Sequence, residues 1–327
     1  MKQLKLLLAT DYSDEVMNAE RYAIQIAKET NATLTLIHVY PVPLILPSDD
    51  IVYINNIDEL HLFELKRLEE HKEELFQSLN LRQEELQCEC VVREGNIALE
   101  ICKEAEESLA DFIIVGIHSV SGLRETFLGS HFWDVIKQSV TPVFAVPKDG
   151  LFTGIKNIVF GTSYREEEWG ALEFVVGFAK KFNANLTVVH ITNYMLSKEL
   201  ERTMFEEFRD KVEERLPYSK LKIHLLVKDS IVEGLNQYCI ENKTDLISLS
   251  LIKENLIDKI FLSTLSLTRK MSFHSDTPLL IVPPFPKSRY IEKELHTKIA
   301  IPHSLYKNDF SLMLNHSRMY FPVFCSF

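Results

Sequence analysis

Several features are missing from this chain, and each absence removes a class of function. No run of about 18 or more apolar residues occurs, so no membrane span is expected. Lys and Arg number 36 against 47 Asp and Glu, a net charge of −11, and phosphate backbones recruit clustered cations; a broad nucleic-acid or membrane-surface contact is therefore not expected. A small, locally positive nucleotide site stays compatible with that balance. The cysteines (Cys88, Cys90, Cys102, Cys239 and Cys325) form an odd, scattered set, which reads as reduced thiols of a cytoplasmic protein rather than a disulfide framework. Cys88 and Cys90 alternate on a strand without further ligands nearby, so no metal site is expected. There is no GxxxxGK(S/T) phosphate loop and no HExxH pair. Ser119 and Ser121 lack the flanking glycines of a GxSxG nucleophile elbow, which argues against a serine hydrolase.

What remains is ordinary globular composition, 46% hydrophobic and 25% charged, in a chain long enough for two domains. The N-terminal MKQLKLLLATDYS has too short an apolar run and no small-residue cleavage site, so it reads as a first strand (4–10) rather than a signal peptide. Asp11 follows at its carboxyl end. Ser13 or Asp14 is positioned to cap a helix to about Glu29, with Ala19, Tyr22, Ala23, Ile26 and Ala27 on one face. Residues 31–39 form a second strand, and strand, helix, strand in this order implies a right-handed parallel crossover. The segment 41–58 breaks the rhythm with three prolines and reads as an insertion, a lid or an interaction surface. An amphipathic helix from about Glu59 to Asn80 turns Leu65, Leu68, Leu75 and Leu79 inward. A third strand (87–93) and a third helix (96–106) follow.

The pattern then restarts. Asn31-Ala-Thr-Leu-Thr-Leu-Ile-His38 returns as Asn183-Ala-Asn-Leu-Thr-Val-Val-His190, Asp111-Phe-Ile as Asp245-Leu-Ile, and Thr141-Pro142-Val143 as Thr277-Pro278-Leu279. Such self-similarity marks two homologous modules, 1–148 and 151–284, with 285–327 a C-terminal extension of unassigned role. The second copy carries Ser163 in place of Asp11 and Ser250 in place of Gly116, and has no glycines where the first has its loop. It reads as a degenerate, structural module. The recurrence of His38 as His190 favours a shared packing role.

Residues 111–147 hold the most informative stretch. A buried strand, Phe112 to Val115, ends at Gly116; a loop with Gly122 follows, and Gly129-Ser130 opens a helix before a second buried strand, Pro142 to Val146. Glycine at a strand end and free N–H groups at a helix start make an anion cradle suited to phosphate. The spacing Gly, two residues, Gly, nine residues, Gly-Ser/Thr is the fingerprint of the universal stress protein family, and this chain resembles that family at Gly116, Gly129 and Ser130. Ser119 departs from it where the second glycine belongs; a non-glycine residue in a left-handed conformation costs roughly 1–2 kcal/mol.

The resemblance implies an α/β fold of two tandem modules, each a five-stranded parallel sheet with helices on both faces, Rossmann-like and akin to the adenine nucleotide α-hydrolases. It implies pairing of the modules through their last strands, Val143 to Val146 with Leu279 to Val282, and leaves a further homodimer open. It also implies a ligand, ATP or a related adenine nucleotide with or without Mg2+, bound by the first module only. Asp11 would accept the ribose hydroxyls; Ala9, Thr10 and Val39 would border adenine. Gly116, His118, Ser119, Gly122, Gly129, Ser130, His131 and Phe132 would surround the phosphates, with Arg124 near their charge. Bland readings stand beside these: a helix-dipole charge for Asp11, an N-cap for Ser130, an exposed loop residue for His118 and Arg124, strand packing for Ala9, Thr10 and Val39. No catalytic base is evident, so the expectation is a stress-response sensor that passes occupancy to an unidentified protein partner, not an enzyme. A non-nucleotide interaction scaffold with a pocket degraded at Ser119 is the competing reading, and an α-hydrolase enzyme a third.

Overall fold

The computed structural model describes residues 3–41, 57–117, 130–150, 152–192, 197–252 and 277–284. Most of the 41–58 insertion, the loop residues 118–129 and the extension 285–327 lie outside the described residues. Residues 1–284 form one compact unit.

The first half runs β1 (Lys5–Ala9), α1 (Met17–Thr30), β2 (Thr33–Tyr40), α2 (Ile57–Ser78), β3 (Cys88–Glu94), α3 (Ile97–Glu107), β4 (Phe112–Ile117), α4 (Ser130–Gln138) and β5 (Val143–Pro147). The second runs β6 (Asn157–Gly161), α5 (Trp169–Phe182), β7 (Asn185–Thr192), α6 (Lys198–Arg215), β8 (Leu221–Val227), α7 (Ile231–Glu241), β9 (Leu246–Ser250) and β10 (Leu279–Val282). All ten strands belong to one sheet, in the order β3-β2-β1-β4-β5-β10-β9-β6-β7-β8. Every neighbouring pair is parallel except the central one: β5 and β10 run antiparallel, with Leu279 opposite Ala145, Leu280 opposite Phe144 and Ile281 opposite Val143. The two halves thus meet through their last strands within one chain, as the resemblance implies.

Strand composition follows this order. At the centre, β5 and β10 are buried throughout and read as unbroken apolar runs, VFAVP and LLIV. At the two edges, β3 (CECVVRE) and β8 (LKIHLLV) are only partly buried and interleave charge or histidine, which discourages pairing with another chain. On one face a single apolar cluster takes Leu7, Ile113 and Ala145 from the first half and Ile247, Leu279 and Ile281 from the second, under α3, α4 and α7. On the other, Phe112 of β4 packs at 5.5 Å from Phe174 and 5.3 Å from Phe178 of α5, so the seam is closed on both sides.

The sequence repeats have backbone causes. Asn31 and Asn183 each end a helix with φ near 52°, the left-handed conformation asparagine tolerates, and the alanine that follows returns its N–H to the helix, Ala32 to Ala27 O at 2.8 Å and Ala184 to Ala179 O at 2.9 Å. Asp111 Oδ2 accepts the Lys5 N–H at 3.0 Å and Asp245 Oδ2 the Asn157 N–H at 2.8 Å, so each aspartate ties the start of its half's first strand. Several boundaries differ by a residue or more from the sequence reading. α2 begins at Ile57, not Glu59. α1 begins at Met17 with no side-chain cap, because Ser13 is engaged elsewhere, as described next.

Candidate functional site

The strand order 3-2-1-4-5 reverses between β1 and β4, and the crevice beyond the carboxyl ends of these strands is where open parallel sheets place their ligands. A cavity of about 160 Å³ opens there. Ala9, Thr10 and Asp11 line it from the end of β1, Val39 from β2, Gly116 from β4 and Phe132 from α4, together with apolar side chains that include Val16, Ile97, Ile101 and Val135. Thr10 and Asp11 are the polar side chains of that lining.

The turn after β1 shapes the mouth. Tyr12 has φ 64°, an uncommon conformation for a bulky residue, held by its N–H donating to Thr10 Oγ1 at 3.2 Å. Asp11 is exposed, and one of its oxygens accepts the Ser13 N–H at 3.0 Å and the Ser13 hydroxyl at 2.5 Å. Ser13 therefore closes an Asx turn on Asp11 and does not cap α1. The other Asp11 oxygen has no partner among the described residues.

Left-handed backbone at Tyr12 sends its ring behind the turn. There it lies 4.4 Å from the His38 ring and 5.2 Å from the His71 ring, with the Arg67 guanidinium 4.1 Å over its face. His38 Nδ1 bonds the Thr10 main-chain oxygen at 2.9 Å. The Thr10 hydroxyl donates to Glu20 Oε1 at 2.7 Å, and His71 Nε2 meets the same oxygen at 2.7 Å. Burial raises the Tyr12 hydroxyl well above its usual range, with Glu64 adding to the effect.

Gly116, which lines the cavity, also has a local packing role. A Cβ there would stand 3.1 Å from the Val16 Cα and 3.5 Å from the Glu15 carbonyl oxygen, so its bareness lets the β1–α1 turn close onto β4. Phe132 is buried in the cavity wall, a side-chain contribution beyond the N–H the sequence suggested. Ser130 and His131 begin α4. His118, Ser119, Gly122, Gly129 and Arg124 lie outside the described residues. Val16, Ile97, Ile101 and Val135 were missed; the apolar face of α3 was the available signal. The Tyr12–His38–His71–Glu20 cluster was missed as well, although Thr10-x-Tyr12 and Thr162-x-Tyr164 stand at equal spacing before His38 and His190.

The second half repeats this frame with a different residue beside the turn. Tyr164 has φ 62° and stacks on His190 at 4.0 Å, and His190 Nδ1 bonds the Thr162 oxygen at 2.8 Å. In Val16's place stands Glu168, buried, whose carboxyl accepts the Thr162 hydroxyl at 2.6 Å, the Ser163 hydroxyl at 2.7 Å and the Ser163 N–H at 3.0 Å. Burial pushes this carboxyl up against the opposing effect of those hydrogen bonds. Leu249 replaces Val115, and its Cδ2 lies 2.8 Å from where a Cβ on Gly161 would be, so the larger side chain takes the room the glycine leaves.

A sequence model described as the universal stress protein family matches residues 4–147. Universal stress protein YxiE of Bacillus subtilis (strain 168) is 34% identical over 150 residues, covering 43% of this chain and 97% of that protein. A universal stress protein of Methanocaldococcus jannaschii is 34% identical over 148 residues, 44% of this chain and 82% of that protein. Among solved structures, a universal stress protein from Archaeoglobus fulgidus superposes with a TM-score of 0.65 at 15% identity, over 87% of this chain and 100% of that one, which supports the fold. Among the described residues, no helix is long and apolar enough to cross a membrane.

Proposed function

The chain belongs to the universal stress protein family, and from that premise we propose that its first half binds an adenine nucleotide, ATP or a close relative, and acts as a sensor of it. The observation that carries this reading is the crevice itself: an apolar slot at the switch point of the half-sheet with the Asp11 carboxylate at its mouth. A cavity of about 160 Å³ is small beside the roughly 300–1,000 Å³ of pockets that enclose a whole ligand, and suits a flat base with sugar and phosphates left at the rim. In this reading the Asp11 carboxylate accepts ribose hydroxyls, and the first turn of α4, where a helix leaves N–H groups without intrahelical partners, takes the phosphate.

Binding is confined to the first half in this reading. In the second, Glu168 already accepts from the groups at the front of the turn, and its carboxyl would meet a phosphate unfavourably. We read the site as a binding site whose occupancy is passed to a protein partner, with hydrolysis at most slow. Equilibrium dialysis of the full chain against labelled ATP with Mg2+ tests the proposal. Saturation near one nucleotide per chain supports it, and no retention at millimolar ATP counts against it.

A further inference from the structure

The two halves give the Thr10 and Thr162 hydroxyls carboxylate partners from positions one helical turn apart. In the second half the carboxyl is Glu168, at the position Val16 holds in the first. In the first half it is Glu20 of α1, and Val16 lines the crevice with an apolar side chain instead. Glu20 is 2% exposed, and its Oε1 is shared between Thr10 Oγ1 and His71 Nε2 of α2, each at 2.7 Å. The offset that pairs Thr10 with Thr162 pairs Glu20 with Leu172, which is buried. The place of His71 is taken by Phe208 of α6, whose ring lies 4.8 Å from Tyr164 much as His71 lies 5.2 Å from Tyr12. One scaffold is therefore built twice, once around an apolar Leu172 and Phe208 and once around a hydrogen-bonded Glu20–His71 pair that is ionic when His71 is protonated.

The apolar version shows that the fold does not require the ionic one. A buried ion pair seldom adds stability over well-packed apolar side chains. It occurs here in the half whose crevice is open, and it contacts a residue that lines the crevice.

We propose that His71 is a positioning residue of the crevice: through Glu20 it holds the Thr10 hydroxyl, and with it the Tyr12 and Asp11 turn, so that affinity for ligand follows the charge on His71. The inference rests on the nucleotide reading for its ligand but not for its internal coupling. The hydrogen bond to Glu20 raises the His71 imidazole above its ordinary value, opposed by burial; Glu20 and Glu74 favour its charge and Arg67 opposes it. Among the described residues, the Tyr12 ring also meets His71, and around Tyr12 stand His38 from β2, Glu64 from α2 and Cys90 from β3. The sign follows. With the folded value above the ordinary 6.5, the charged pair is complete below that pH and is lost as pH rises through the folded value. Glu20 then meets a neutral imidazole in place of an imidazolium, which weakens the hydrogen bond.

The test uses the full chain, with Mg-ATP as probe, from pH 6 to 9. Wild type is compared with His71→Gln, which retains a donor without charge, with His71→Lys, which retains charge throughout, and with Glu20→Leu/His71→Phe, which copies the second half. All share the nucleotide's own titration, so differences between them belong to the protein. Wild-type affinity is expected to fall about fivefold as pH rises, in the lower range of coupling between sites. His71→Gln stays at the weak end, His71→Lys at the tight end, and the double variant folds yet binds weakly at every pH. In the ligand-free protein, the backbone amide resonances of Asp11 and Tyr12 move with the His71 titration in wild type and stay still in His71→Gln. Binding with the same pH profile in wild type and His71→Gln overturns the inference and leaves the nucleotide reading standing. If no ATP binds at any pH that reading falls, and the amide resonances then decide the coupling: movement with His71 upholds it, and its absence overturns it.

Discussion

His38 and His190 occupy the same position in the two halves, and each ring Nδ1 meets the main-chain oxygen of the threonine that follows its neighbouring first strand, Thr10 at 2.9 Å and Thr162 at 2.8 Å. Each ring also packs against a tyrosine held at positive φ, His38 tilted on Tyr12 and His190 stacked on Tyr164. The pair forms a duplicated brace behind the turn that ends the first strand, and the halves differ in what stands in front of it.

Burial dominates at His190 and lowers its imidazole below the usual range, against the opposing influence of the Thr162 hydrogen bond and Glu201. In the unfolded chain this group takes up a proton near pH 6.5 that the folded chain resists. Stability is therefore expected to fall as pH drops below about 6.5, until the folded value is reached. His190→Gln removes this contribution. Calorimetric Tm values between pH 5 and 8 should show a smaller acid-side decline in the variant than in wild type; equal declines would assign the acid sensitivity elsewhere.

Gly116→Ala places a methyl 3.1 Å from the Val16 Cα, a backbone contact that no side-chain rotation relieves. The expected cost is about 1–3 kcal/mol, the range for overpacked positions. Urea unfolding should show a lower midpoint at unchanged slope, together with weaker nucleotide binding as the turn is pushed away from β4.

Phe144 is 2% exposed in β5, directly opposite Leu280 across the antiparallel seam. Phe144→Ala is expected to cost about 3–5 kcal/mol through the lost transfer energy and the cavity left behind. Since one sheet and one apolar cluster span both halves, the loss should appear as a downward shift of a single unfolding transition. A variant in which one half melts at the wild-type temperature would contradict the shared core.

Much of the architecture was legible because its causes are local. Buried parallel strands read as unbroken apolar runs, as in Phe112 to Val115, and the Asn-Ala pairs at 31 and 183 mark helix ends that need left-handed backbone. The repeat predicted the number of strands, and the family resemblance the meeting of β5 with β10. The residues named for the base and ribose, Ala9, Thr10, Asp11 and Val39, do converge on one crevice, since strand ends in a parallel sheet are neighbours by construction. What stayed hidden depends on contacts between distant segments. Nothing near Ser13 announces that Asp11 captures it and leaves α1 uncapped, and nothing in the helix around His71 shows that it faces Glu20, 51 positions earlier. The Gly116 contact with Val16 is of the same kind: glycine at a strand end suggested a ligand, while the close neighbour is the protein's own turn.

Isothermal titration of Mg-ATP into wild type and Asp11→Ala tests the central claim most directly. Asp11 is exposed and its hydrogen bonds are confined to Ser13 among the described residues, so the substitution should leave the midpoint of unfolding nearly unchanged. The prediction is one nucleotide per wild-type chain and a loss of about tenfold or more in affinity for Asp11→Ala, the scale of hydrogen bonds to a charged acceptor. Equal affinity in the two proteins, or uptake of two nucleotides per chain, would contradict a single site formed by the first half around Asp11.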